Sequence, residues 1–188
     1  DANVAAAGYD SLHTGAAQGS SSVVTFDTKD LSTLKTFAAC YTEGDGTASA
    51  AWVDSGVRLA VSKITELHYD GPSTTSFPVR TMRSTNVMAA TNRLPQVANA
   101  TVTYVGDLAG SKWLSLVDST LNSGNPCVEG SVAAASADSL HSGAVQAAPG
   151  TKEVTIPQST LLSEAKTFAV CYADTDGTSS DTTWRDSY

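Results

Sequence analysis

The segment KTFAACY at residues 35–41 recurs as KTFAVCY at residues 166–172, and this repetition decides how the chain is organised. The match continues outward: VAAA at 4–7 recurs at 132–135, DSLH at 10–13 recurs at 138–141, and DGT at 45–47 recurs at 176–178. Self-similarity over long segments is the signature of proteins built from tandem structural units. The chain therefore contains more than one copy of such a unit.

The repeat is incomplete, and this imbalance shapes the prediction of domains. Residues 1–56, which we call front half A, match residues 128–188, front half A′, whereas residues 57–127, the rear half B, occur once. If one front half and one rear half bury a common core, one front half has no partner. We predict a complete repeat at 1–127 and the front half of a second repeat at 128–188, completed by a neighbouring subunit or by chain outside this sequence.

The local pattern favours an all-β fold of antiparallel strands. Short β-branched and aromatic runs are separated by clusters of Gly, Ser, Asp and Pro, and long helical periods are absent. The candidate strands are 23–26, 36–42, 52–64, 76–82, 100–105 and 113–121, with 153–156 and 167–173 as second copies of the first two. The Asp-Gly pairs at 45–46 and 176–177 predict hairpin turns. Weak helical candidates are 30–35 and 160–166.

The candidate strand 52–64 carries the pattern of a two-layer sandwich. Apolar side chains such as Val53, Val57 and Leu59 alternate with polar ones, which predicts a half-buried strand. Trp52 falls on the polar side of this alternation. We expect a β-bulge at Ser55-Gly56 that turns the ring inward, with a deliberately exposed ring as the alternative.

Two resemblances extend this prediction. Cys40 precedes Trp52 and Cys171 precedes Trp184 at a spacing that resembles the Cys-then-Trp interval of immunoglobulin-like sandwiches. The phrases TFAVCYA, TWRDSY and LSLVD at 167–173, 183–188 and 114–118 are similar to repeats of large secreted tandem-repeat surface proteins of microalgae. The resemblance implies antiparallel β-sandwich (immunoglobulin-like) repeats in an extracellular structural protein, and it brings no catalytic residues.

The three cysteines favour structural disulfides and an extracellular or cell-surface location. Two pairings are open, Cys40 with Cys127 and Cys127 with Cys171. The two loops differ about twofold in length, worth only about 0.6 kcal/mol of closure entropy, so entropy does not choose. We favour Cys40 with Cys127 because this bond closes a complete repeat. One cysteine stays unpaired in either case.

Composition narrows the classes of partner. The net charge is −8, with 11 basic against 19 acidic side chains, which argues against binding to the phosphate backbone of nucleic acids. No apolar run reaches the roughly 18 residues of a membrane span. Asn99-Ala100-Thr101 matches an N-glycosylation acceptor, so covalent glycans are expected.

Two polar clusters resemble a catalytic triad and a calcium loop, and we interpret both as structural. Asp10, Ser11 and His13 have the residue types of a nucleophilic triad and recur at 138–141. A triad needs groups from distant segments, whereas near neighbours on a strand point to opposite faces, so we predict structural hydrogen bonds. The acidic segment 174–181 lacks the closing Glu of a calcium loop and reads as a surface turn. We predict no enzyme, no metal and no cofactor.

The surplus half leads to the functional prediction. We expect a structural subunit of an extracellular filament or cell-surface layer, assembling head to tail with copies of itself into a helical polymer by β-strand addition. An uncovered sheet edge accepts strands from another chain. The expected contacts lie in A′, at Phe168, Val170, Tyr172, Trp184 and Tyr188.

Two other interpretations stay open. In a carbohydrate-binding adhesin module, Trp52, Trp113 and Trp184 would stack on sugar rings. Alternatively, the 188 residues are a window of a longer repeat array, whose remaining part completes the surplus half.

Overall fold

The computed structural model describes residues 1–70, 80–81, 93–94, 96, 98–157 and 162–187. The chain divides into two compact units, residues 1–61 and residues 62–188, which we call the N-unit and the C-unit. The boundary lies close to the end of front half A. The N-unit is therefore essentially A alone, and the C-unit contains B followed by A′.

The N-unit consists of a short helix and one hairpin. Helix α1, Ala2–Ala5, is capped by Asp1, whose side chain accepts a hydrogen bond from the Asn3 N–H. Strands β1, Thr36–Tyr41, and β2, Val53–Ala60, pair antiparallel. Gly46 in the connecting turn has φ +75°, a left-handed conformation that favours glycine. The hairpin predicted from Asp45-Gly46 is confirmed.

The predicted bulge at Ser55-Gly56 is also present. The register of β1 against β2 shifts at Ala39, where the Ser55 hydroxyl donates to the Ala39 carbonyl over 2.6 Å. Gly56 takes the positive φ of +77° that such an irregularity needs. Trp52 is half-buried, and its indole N–H donates to the Thr47 carbonyl over 2.9 Å.

The C-unit contains the remaining elements. These are β3 (Ile64–Asp70), β4 (Arg80–Thr81), β5 (Ala100–Gly106), β6 (Trp113–Asp118), a short 3-10 helix (Asn122–Gly124), α2 (Gly130–Ala133), β7 (Val145–Gln146), β8 (Glu153–Ile156), β9 (Phe168–Ala173) and β10 (Arg185–Asp186). Within the described residues they form two antiparallel sheets, with strand orders β4-β3-β5-β8 and β10-β9-β6-β7. The chain is mostly β with antiparallel sheets, as predicted.

Both sheets contribute to the main hydrophobic cluster of the C-unit. Its members include Leu67, Val102, Tyr104, Val154 and Ile156 from one sheet and Leu114, Leu116 and Tyr172 from the other. A second cluster lies around Val117, Ala133, Ala173 and Trp184, beside the disulfide. Strand β6 therefore has buried side chains on both faces. Burial of this apolar surface is the main favourable term in folding the C-unit.

Strands of rear half B pair with strands of front half A′. Strand β6 of B lies between β9 and β7, which both belong to A′, with Leu116 opposite Val170. Strand β5 of B pairs with β8 of A′, with Val102 opposite Val154. This pairing differs from the expected division into 1–127 and 128–188. The surplus front half is A, because A′ already occupies the strand edges that B offers.

The disulfide follows from the same arrangement. Cys127 is bonded to Cys171, 44 residues further along the chain, and Cys40 is a free, exposed thiol. The expectation of a structural disulfide is confirmed, but the favoured pairing of Cys40 with Cys127 is wrong. Cys171 lies on β9, the neighbour of β6, so it is the front-half cysteine that packs against B.

Several local predictions need correction. The candidate strand 23–26 contains only an isolated β-bridge at Val23, although its second copy, 153–156, is a strand. The weak helical candidates 30–35 and 160–166 contain no helix where they are described. The candidate 52–64 is interrupted after β2, and a separate strand, β3, begins at Ile64. Most of the candidate 76–82 lies outside the described residues.

The disulfide gives the first testable prediction. Replacing Cys127 and Cys171 together by Ser should lower the free energy of unfolding by about 2–4 kcal/mol, because the bond restricts the unfolded chain. Urea unfolding followed by circular dichroism measures this change. The matched control is Cys40→Ser, which should change the free energy by less than about 0.5 kcal/mol. Equal effects of the two substitutions would contradict the pairing.

Candidate assembly interface

The two front halves fold into the same local turns. In A, Asp10 Oδ1 accepts hydrogen bonds from the Leu12 N–H over 2.7 Å and pairs with His13 Nδ1 over 2.8 Å. In A′, Asp138 makes the same contacts with Leu140 and His141, at 2.7 and 2.9 Å. In both turns, the backbone N–H and the histidine hold the pKa of the aspartate below its ordinary value. The Asp-Ser-Leu-His motif is thus a hydrogen-bonded turn, as its spacing predicted.

Burial separates the two copies, although their turns agree. Tyr172 of A′ is 0% exposed and its equivalent Tyr41 in A is 51% exposed. Val154 and Ile156 are also fully buried, whereas their equivalents Val24 and Phe26 are 43% and 49% exposed. The difference arises from the surroundings, because rear half B covers the side chains of A′.

The backbone of A is uncovered as well. Strand β9 of A′ pairs with β10 on one edge and with β6 on the other. Its equivalent β1 pairs with β2 and, within the described residues, with no second strand. Unpaired N–H and C=O groups along such an edge are a template for another strand. Residues 24–26 lack strand pairing for the same reason, since β8 owes its pairing to β5 of B.

A glycine marks where B packs on A′. Gly177 has φ +64°, and a Cβ atom there would lie 2.2 Å from Cδ2 of Trp113, which belongs to B. A side chain at this position would therefore collide with the indole ring. The equivalent Gly46 has φ +75°, and a Cβ atom there would meet nothing within 4 Å. No described residue fills, beside Gly46 in the N-unit, the space that Trp113 fills beside Gly177 in the C-unit.

Charged side chains repeat this contrast. Lys166 of A′ pairs with the buried Asp118 of B over 2.8 Å, and Asp174 of A′ pairs with Lys63 over 2.5 Å. Their equivalents in A, Lys35 and Glu43, are exposed, and neither forms an ion pair with another described residue. The Lys166 ammonium, together with the Thr120 N–H, lowers the pKa of Asp118 from its ordinary value of 3.8 to about 2.

We call the exposed equivalents of the A′–B contact the open surface. It comprises the free edge of β1 and the side chains of Val24, Phe26, Lys35, Cys40, Tyr41 and Glu43. In the C-unit, rear half B contacts the equivalent apolar, charged and thiol groups, whereas in A no described residue of B takes that place. The open surface is the candidate functional site.

The residues of A′ that we expected at assembly contacts are wholly or partly buried within the C-unit where the structure describes them. Tyr172 and Trp184 are fully buried by the chain itself. Phe168 and Val170 are half-buried and pack against the main cluster. Tyr188 lies outside the described residues. The surface that lacks a cover therefore belongs to A, and sequence comparison alone could not distinguish A from A′ because both carry the same pattern.

The acidic segment of A′ is a turn whose carboxylate is already engaged. Asp181 accepts hydrogen bonds from the N–H groups of Asp176 and Gly177 over 2.9 and 2.8 Å, and from Thr183. Burial raises the pKa of Asp181, but hydrogen bonds from Thr175, Thr183 and Gly177 outweigh burial and lower the pKa well below its ordinary value. Within the described residues, no group of three or more His, Cys, Asp or Glu side chains is placed to hold a metal ion.

Comparison with known protein-family models, curated proteins and solved structures found no significant match. Among the described residues, the helices are too short or too polar to cross a membrane.

Two equivalent tyrosines test the difference in burial between A′ and A. Tyr172→Ala should lower the free energy of unfolding by about 3–5 kcal/mol, because it leaves a cavity in the core of the C-unit and frees the Lys63 N–H that Tyr172 accepts over 3.2 Å. Tyr41→Ala should change it by less than about 0.5 kcal/mol. Urea titration of both variants gives the two values, and similar losses would contradict the structure.

A matched pair of lysines tests the ion pair. Lys166→Met should destabilise the C-unit at neutral pH, whereas Lys35→Met should not. Since the pKa of Asp118 in the folded protein is about 2, below its ordinary value of 3.8, the stability from this pair is present above about pH 4. It is lost as pH falls towards 2. The stability gap between the wild type and Lys166→Met should therefore shrink over that range, and a gap independent of pH would refute this assignment.

Proposed function

We propose that this protein is a structural subunit of an extracellular filament or cell-surface layer, built from immunoglobulin-like β-sandwich repeats, and that the open surface of the N-unit is its joint to the next unit. One observation carries the proposal. Side chains with equivalents in the core of the C-unit, such as Tyr41 and Val24, stand exposed in the N-unit. A surface that is the interior of a repeat elsewhere in the same chain is suited to a stable interface.

The mode of assembly follows from the free edge. Among the described residues, no second strand pairs with the outer edge of β1, so a strand from a neighbouring unit can extend the β1–β2 sheet. The joint is heterologous, because the N-unit supplies a front half and the neighbour supplies a different segment. Repeated heterologous contacts give an open, head-to-tail polymer unless a rotation happens to close a ring.

Two features support an extracellular location. The Cys127–Cys171 bond is of the kind that persists in oxidising compartments. Asn99 is exposed in a turn that directly precedes β5, where a glycosylation enzyme has access to its side chain. A glycan at Asn99 would lie on the C-unit.

The aromatic side chains favour assembly over carbohydrate binding. Trp184 is fully buried and its indole N–H donates to the Thr178 carbonyl over 2.9 Å. The ring of Trp113 packs against Gly177. Both rings pack within the C-unit, so the parts of the rings that make these contacts are not available to a sugar.

Immunogold electron microscopy of the source cells tests the proposal. Antibodies raised against residues 62–188 are suitable, because both hydrophobic clusters and the disulfide lie within that unit. We expect gold particles on extracellular filaments or a surface layer of unpermeabilised cells. Labelling that requires permeabilisation and lies inside the cell would contradict the proposed function. Pre-immune serum provides the control.

A further inference from the structure

We infer that the open surface binds a second rear half: a polypeptide segment with the sequence pattern of residues 62–127, including a cysteine at the position of Cys127. The segment and the N-unit would then close into a unit like the C-unit. This inference rests on the proposed function, since it names the occupant of the joint.

The C-unit supplies the template for this occupant. On the A′ side, Tyr172 accepts a hydrogen bond from the Lys63 N–H, Val154 lies opposite Val102, and Cys171 is bonded to Cys127. All three partners belong to the rear half. Their front-half equivalents in the N-unit are Tyr41, Val24 and Cys40, and each of these is exposed.

Charge and shape agree with the same occupant. Lys35 retains the positive charge that Asp118 of a rear half binds, and Glu43 retains the negative charge that Lys63 binds. Like Gly177, Gly46 has no side chain, so the position leaves room for the equivalent of Trp113. An unrelated apolar partner would not require this combination of a positive charge, a negative charge and a glycine.

The chain's own rear half is not available. Strand β6 is flanked by β9 and β7, and β5 is flanked by β3 and β8, so both strands are paired on both edges. A second copy of these 188 residues meets the same restriction while its rear half is closed by its own A′. The next unit of the proposed polymer must therefore present an additional rear half to the N-unit. Two front halves for each rear half therefore require an additional rear half.

The covalent step is thiol–disulfide exchange with a small-molecule disulfide such as oxidised glutathione. The thiolate of Cys40 attacks that disulfide and releases one glutathione thiolate. The thiolate of the incoming cysteine then attacks the mixed disulfide on the Cys40 sulfur and releases the second. One protein disulfide forms, one glutathione disulfide is reduced, and the two protein thiols give up their protons to solvent.

An extended chain tests the inference. An additional copy of residues 62–128 is joined directly before Asp1, so that the added segment leads into A as B leads into A′, and the protein is refolded in a glutathione redox buffer. Peptide mapping should find Cys40 bonded to the added cysteine, and maleimide should no longer label it. Hydrogen exchange of the β1 amides should slow by about tenfold or more relative to the 188-residue chain.

Two variants of the extension serve as controls. In the first, the added copies of Val102, Leu114 and Leu116 are replaced by Asp; Cys40 should then stay reactive, because the added segment cannot form a core. In the second, the added copy of Cys127 is replaced by Ser. The β1 amides should still be protected, because the added segment packs on β1 before its cysteine bonds to Cys40.

Each remaining outcome overturns the inference. If Cys40 stays reactive and β1 exchanges as fast as in the 188-residue chain, a rear half is not the occupant. If Cys40 bonds to the original Cys127, the front halves exchange and no additional rear half is required. Surface labelling in the immunogold experiment would leave the proposed function standing in both cases, so the two failures are distinguishable.

Discussion

The structure depends on the pairing of one strand, β6, between β9 and β7. Its two edges are bonded to front half A′, and its side chains are buried on both faces, with Leu116 in one cluster and Val117 in the other. The Cys127–Cys171 bond and the ion pair of Asp118 with Lys166 are made in the same contact. Because a strand has only two edges, a rear half saturated in this way has no place for a second front half.

The chain contains an internal comparison between covered and uncovered copies of one sequence. Hydrogen bonds between near neighbours are the same in both, as in the turns of Asp10 with His13 and Asp138 with His141. Long-range structure differs, since β8 is a strand beside β5 while residues 24–26 form no strand. Turn geometry is thus local, whereas extended structure here needs a partner strand, in keeping with the context dependence of β propensity.

This distinction explains what the sequence could predict. Hairpins at Asp45-Gly46 and Asp176-Gly177, the bulge near Gly56 and strands such as β5 follow from local chemistry and alternation. The choice between A and A′ as the partner of B does not, because both front halves present the same pattern and loop entropy is nearly neutral. The pairing of Cys127 depended on that choice, and so did the location of the open surface.

The N-unit has little interior of its own, in keeping with the proposal that a partner covers it. Leu31 is its only apolar side chain with less than a tenth of its surface exposed. Val24 and Phe26 are 43% and 49% exposed, so covering the rest of each is worth roughly half of the 1.5–3 kcal/mol for full burial. An interface must exceed an association cost of at least about 4 kcal/mol. Several such side chains lie on the open surface together with a free strand edge. A partner that restores the contacts of the C-unit would therefore bury the same kinds of side chains that form the core of the C-unit, as the proposed joint requires.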